Sequence, residues 1–131
     1  MHSATHLVVE DNAALRKGLS IRLRVNGYEV LFAEDAISAT AALMTERLDL
    51  MILDLGLPRG DVDVMERLRK SDRLAHIPVI VLTGREVVGN RDRALHAGVA
   101  AFFQKPMEDG TLLCTSRLAL DMSRNKLRFV E

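Results

Sequence analysis

Short apolar runs alternate with longer amphipathic stretches along the whole chain. Leu7-Val8-Val9 is apolar and β-branched and stops at Glu10-Asp11-Asn12. That pattern predicts a buried strand, with Asp11 or Asn12 capping a helix after it. Leu15, Leu19 and Leu23 recur every four residues and predict a helix with one apolar face, ended by Asn26-Gly27. Residues 28–33 read as a second strand. Asp35 or Ser38 opens a second helix, with Ile37, Ala41, Met44 and Leu48 on its inner side. Residues 50–55 form the most apolar run and predict a central strand, stopped by the Gly-Pro-Gly loop of residues 56–60. Residues 62–73 predict a third helix with Met65 and Leu68 inward. Pro78 opens a fourth strand over residues 79–82 that ends at Thr83-Gly84. A poorly amphipathic fourth helix is expected over residues 86–97, ended by Gly98. Residues 100–104 read as the fifth strand, followed by Lys105-Pro106, and residues 108–123 as the last helix.

Strands therefore restart roughly every twenty to thirty residues with one helix between each pair, the βαβ rhythm of a parallel sheet. Right-handed crossovers make this an α/β, doubly wound sheet with helices on both faces. The rhythm leaves strand order open. A chain of 131 residues suits one domain, expected to span residues 1–131. Its core should occupy residues 6–122, with 123–131 a frayed helix end or the start of a linker.

Composition narrows the class. Hydrophobic residues make up 48% of the chain, enough for a packed core. Eighteen Lys and Arg balance eighteen Asp and Glu, so the basic excess usual for nucleic-acid binding is missing, and no direct nucleic-acid contact is expected. No apolar run approaches the length that spans a bilayer, and the short polar start lacks a signal-peptide pattern, so a cytoplasmic location is expected. Cys114, the one cysteine, has no intramolecular disulfide partner and reads as a small, partly buried side chain on the last helix. His2, His6, His76 and His96 are scattered and read as surface or helix-end residues. Met44, Met51 and Met65 read as core filler.

In open parallel sheets ligands bind outside the carboxyl ends of the strands, where strand order reverses. The residues at those ends are Glu10, Asp11, Asp54, Thr83 and Lys105. Each has a plain structural explanation alone, as a cap, a turn former or a solvated charge. Together they place three acids, a hydroxyl and a lysine at four strand ends. Converging carboxylates repel one another unless a cation sits among them. Oxygen donors without His or Cys suit a hard ion, Mg²⁺ above all, with Mn²⁺ as substitute. A carboxylate beside such an ion is able to accept a phosphoryl group, with the lysine and threonine contacting phosphoryl oxygens.

The segments Leu7-Val8-Val9-Glu10-Asp11, Leu53-Asp54-Leu55-Gly56-Leu57-Pro58, residues 78–84 and Phe102-Phe103-Gln104-Lys105-Pro106, in that order, resemble the receiver domain of two-component response regulators. The resemblance covers residues 6 to about 122. It implies five parallel strands in the flavodoxin-like order 2-1-3-4-5 with five helices. It implies that Asp54 is the phospho-acceptor and that Asp11, Glu10 (directly or through water) and the backbone carbonyl of Gly56 hold Mg²⁺ with Asp54. Lys105 would contact the phosphoryl group, before a Lys-Pro bond that is usually cis in the family. Thr83 would be the switch hydroxyl and Phe102 the switch aromatic, with Gly84 leaving space beside Thr83. The readout would be the face made by the fourth helix, fifth strand and fifth helix. Implied partners are a histidine kinase or phosphotransfer protein upstream, and an output partner or domain downstream. Partner choice would lie on the first helix and the adjoining loop, where the sequence leaves open which of Leu15, Arg16 and Leu19 face the core and which the docking surface.

The chain departs from the family pattern at Arg59-Gly60-Asp61, where Asp-Gly is usual, and in lacking the acidic pair before Phe102. The second departure weakens the case for a charged dimer interface. Gly56 and Arg85 occupy positions that tune phosphate lifetime in the family. Multiple-turnover enzymes fit less well. A phosphohydrolase of the haloacid dehalogenase type needs a second Asp two residues after the first, where Gly56 stands. The spacing of Gly84 and Gly89 is that of a P-loop, but Asn90-Arg91 replaces its Lys and Ser/Thr. The alternative reading is an interaction module that keeps the fold and works without phosphorylation.

Overall fold

Three strands of this chain are buried along their whole length, which explains the apolar runs of residues 7–9, 50–53 and 79–82 within them. The computed structural model describes residues 3–54, 61–84, 99–105 and 108–125. The strands are β1 (Thr5–Val9), β2 (Glu29–Ala33), β3 (Leu50–Asp54), β4 (Val79–Thr83) and β5 (Ala101–Gln104). The described helices are α1 (Ala13–Val25), α2 (Ala36–Thr45), α3 (Asp61–Lys70) and the C-terminal α4 (Asp109–Asn125). All strand pairs are parallel, in the order β2-β1-β3-β4-β5. The helix expected over residues 86–97 lies outside the described residues, as do Gly56, Arg85 and Pro106. Among the described residues, no helix is long and apolar enough to cross a membrane.

Alternate residues of the central strands feed two core layers. Leu7, Val9, Met51, Leu53, Val79 and Val81 pack with Ala39 and Leu43 of α2 and with Val64, Met65 and Leu68 of α3. Val8, Leu50, Ile52, Ile80 and Leu82 pack with Leu23 of α1 and with Leu112, Ala119 and Leu120 of α4. Burying a leucine such as Leu68 contributes about 1.5–3 kcal/mol.

Caps fix where the helices begin. The Asn12 side chain accepts from the Leu15 N–H at 3.1 Å, so Asn12, not Asp11, caps α1. Gly27, with φ of 89°, lets the chain turn back into β2. Asp35 caps α2 through a reciprocal box with Ser38.

The inner face of α2 differs from the pattern reading. Ile37 and Met44 are 82% and 64% exposed, and Ala39 and Leu43 point inward. Leu48 is buried as expected, beyond the helix. On α1, Leu23 is buried and Leu15 is largely exposed. Cys114 is exposed rather than partly buried.

His6 is a further correction, since it is fully buried. Its Nε2 shares a 2.6 Å hydrogen bond with Oγ of buried Ser116 on α4, and its ring lies 4.5 Å from that of Tyr28. Burial pulls its pKa down to about 4, against the opposing charge of Asp49.

Candidate functional site

The chain leaves β1 for one edge of the sheet, at β2, and returns on the other side, at β3. A crevice therefore opens at the carboxyl ends of β1 and β3. Glu10 follows β1 directly, and its N–H donates to the Ala33 carbonyl at 3.0 Å, one step beyond the strand. The Asn12 N–H donates to its Oε2 at 3.3 Å. Asp54 ends β3 and Thr83 ends β4, and both are buried. Lys105 stands one residue past β5, and its N–H donates to the Thr83 carbonyl at 2.7 Å.

The sheet thus brings together residues 95 apart in sequence. The Lys105 ammonium donates to Oε1 of Glu10 and lies 3.4 Å from Oδ2 of Asp54. Carboxylate oxygens of Glu10, Asp11 and Asp54 all lie within 4.8 Å of one another. Glu10 and Asp54 are buried, whereas Asp11 is exposed at the mouth.

The electrostatics follow from this crowding. Burial first, then hydrogen bonds with Asp54 and Asp11, push the Glu10 pKa up to about 7, although Lys105 and the Asn12 N–H oppose it. Burial by itself would lower the Lys105 pKa. The Glu10 hydrogen bond and the charges of Asp54 and Glu10 outweigh it and raise the lysine. Three carboxylates against one ammonium leave a negative excess that a divalent cation would neutralise. The donor set is oxygen only, which fits Mg²⁺ and suits neither copper nor structural zinc.

Of the residues picked from sequence, Glu10, Asp11, Asp54 and Lys105 share one cluster. Thr83 borders it through its carbonyl bond to the Lys105 N–H. Phe102 is partly buried against the core layer that contains Val81, its register partner. Period-two alternation puts Val81 and Thr83 on that same face. Gly56 lies outside the described residues. Arg16 was named from sequence only for the core or docking face of the first helix, and its contact with the site was missed: its guanidinium donates to the Glu10 carbonyl. Only its place one turn after the cap hinted at that.

An all-parallel, doubly wound sheet in the order β2-β1-β3-β4-β5 is the flavodoxin-like fold shared by CheY-like domains, and here its switch crevice holds an acid cluster and a lysine. The chain belongs to the response regulator receiver domain family, which matches it over residues 7–116. A response regulator receiver domain protein (CheY-like) from Methanospirillum hungatei JF-1 superposes with a TM-score of 0.89 at 26% identity, covering 95% of this chain and 99% of that one. The receiver domain of sensor histidine kinase PA1611 from Pseudomonas aeruginosa PAO1 superposes with a TM-score of 0.82 at 26% identity, covering 92% and 99%. That structure has a magnesium ion coordinated in its active site cleft. The response regulator protein PmrA of Pseudomonas aeruginosa is 36% identical over 103 residues, which are 78% of this chain and 46% of that protein. The chain spans about half the length of the curated relatives it matches.

Proposed function

We propose that this chain is a phospho-acceptor switch in a two-component phosphorelay, with residues 6–122 as one receiver core. The observation that carries the reading is the Glu10–Asp11–Asp54 cluster with Lys105 set against Glu10 and Asp54.

Asp54 is the acceptor. One of its carboxylate oxygens bonds to phosphorus as the phosphorus–nitrogen bond to a donor histidine breaks. The departing imidazole nitrogen takes a proton from solvent. Lys105, already within an ion-pair distance of Asp54, pairs with a phosphoryl oxygen. Glu10, Asp11, Asp54 and the Gly56 carbonyl would hold Mg²⁺, or Mn²⁺ in its place. The ion supplies charge neutralisation for the incoming phosphoryl oxygens. The donor is a histidine kinase or a histidine phosphotransfer protein.

Thr83 then hydrogen-bonds a phosphoryl oxygen, and space opens for Phe102 on the same sheet face. Phenylalanine has no hydroxyl, so its inward state rests on packing. The face near β5 and α4 changes, and an output partner or domain reads it. The chain accepts and loses phosphate without turning over a substrate.

Transfer from a phosphohistidine-bearing donor tests the reading. Label should leave the donor and appear on the wild type, and fail to appear on Asp54→Asn. Equal labelling of the variant would overturn the assignment.

A further inference from the structure

Glu10, one residue past β1, still donates its N–H into the sheet, but its carbonyl has left the ladder. The residue is 2% exposed, so that carbonyl needs a partner from the protein. Arg16 supplies it, with Nη1 donating at 2.9 Å. The same guanidinium has its Cζ 5.5 Å from the centroid of the Phe32 ring, on β2. Phe32 stands opposite Val8 in the β1–β2 register, so the ring that backs the guanidinium is anchored to the strand leading to Glu10.

The carbonyl of Glu10 and the N–H of Asp11 belong to one planar peptide unit. Fixing that carbonyl fixes the plane joining the first two acids of the cluster. We infer that Arg16 is a positioning residue for the divalent-cation pocket. It holds the Glu10–Asp11 peptide in the pose that aims both carboxylates at Asp54, and Phe32 holds its guanidinium in place. The inference rests on the reading that these acids bind Mg²⁺.

Its sign separates it from simple electrostatics. Arg16 is a cation beside a cation site, so by Coulomb's law alone removing it would tighten Mg²⁺ binding. A positioning role has the opposite effect. Lysine keeps the charge but loses the planar face on Phe32 and the fixed fork of donors.

The experiment is a calorimetric Mg²⁺ titration of the wild type, Arg16→Met, Arg16→Lys and Phe32→Leu, with a thermal melt of each. Arg16→Met should bind Mg²⁺ about tenfold more weakly, as substitutions of groups that orient metal ligands do. Arg16→Lys should fall between it and the wild type, and Phe32→Leu should show a smaller loss in the same direction. A folded Arg16→Met that binds Mg²⁺ as well as or better than the wild type would overturn the inference. If Arg16→Met does not fold, Arg16→Lys decides: unchanged affinity there overturns it. A wild type that binds no Mg²⁺ would instead sink the metal reading, and this inference with it.

Discussion

Lys105 reaches back from the end of the last strand to Glu10 at the end of the first, and its ammonium lies between that carboxylate and Asp54. Lys105→Met should slow phosphoryl transfer from a small donor on the order of a hundredfold, the usual scale for losing one charge-stabilising contact. It should also destabilise the fold, because two buried carboxylates lose their cation. Adding Glu10→Gln should restore the stability without restoring transfer. Quenched-flow phosphorylation and urea unfolding of both variants check the two halves. Transfer at the wild-type rate in Lys105→Met would contradict the role.

Mg²⁺ should stabilise the protein by mass action. At a hundredfold excess over its dissociation constant the gain is about 2.7 kcal/mol, and a chelator should remove it. Asp11→Asn should cut the gain sharply and leave the metal-free fold almost unchanged, since Asp11 is exposed. Thermal melts with Mg²⁺ and with EDTA measure both effects.

His6 sets an acid limit on stability. Its folded-state pKa of about 4 lies below the ordinary 6.5, so the unfolded chain takes the proton first. Its contribution is present in full above pH 6.5 and is lost as pH falls toward 4. Glu10 acts in the opposite sense: its raised pKa gives a contribution present below pH 4.5 and lost as pH rises through about 7. Comparison with a His6→Leu, Ser116→Ala double variant cancels the Glu10 effect. Between pH 7.5 and 4.5 the wild type should lose on the order of 2 kcal/mol more than the double variant. Parallel pH slopes in urea unfolding would refute this.

The two sides of α2 should respond differently to substitution. Ile37→Gln and Met44→Gln should change stability by no more than about 0.5 kcal/mol. Leu43→Ala should cost about 2–5 kcal/mol. Urea midpoints of the three variants decide which face is inside.

The strands were legible because each central one carries an apolar run of three or four residues, and the candidate site was legible because chemistry-bearing residues stand where those runs stop. Two failures have physical causes. In α2, the spacing of Ile37, Ala41, Met44 and Leu48 looked like a core face, but small Ala39 lets the helix approach the sheet, and Leu43 fills the space beside it. His6 looked like a surface residue because the partner that makes its burial tolerable, Ser116, is 110 residues away. The grip of Arg16 on Glu10 was hidden for a related reason. It depends on a backbone carbonyl, which no side-chain pattern records.

The central claim is that Asp54 accepts phosphate in a Mg²⁺-dependent reaction. Intact mass after incubation with acetyl phosphate, with and without Mg²⁺ and alongside Asp54→Asn, tests it most directly. The account predicts one phosphoryl adduct on the wild type, dependent on Mg²⁺ and absent from the variant. A folded, Mg²⁺-loaded wild type that gains no mass, or a variant that gains as much, would contradict it.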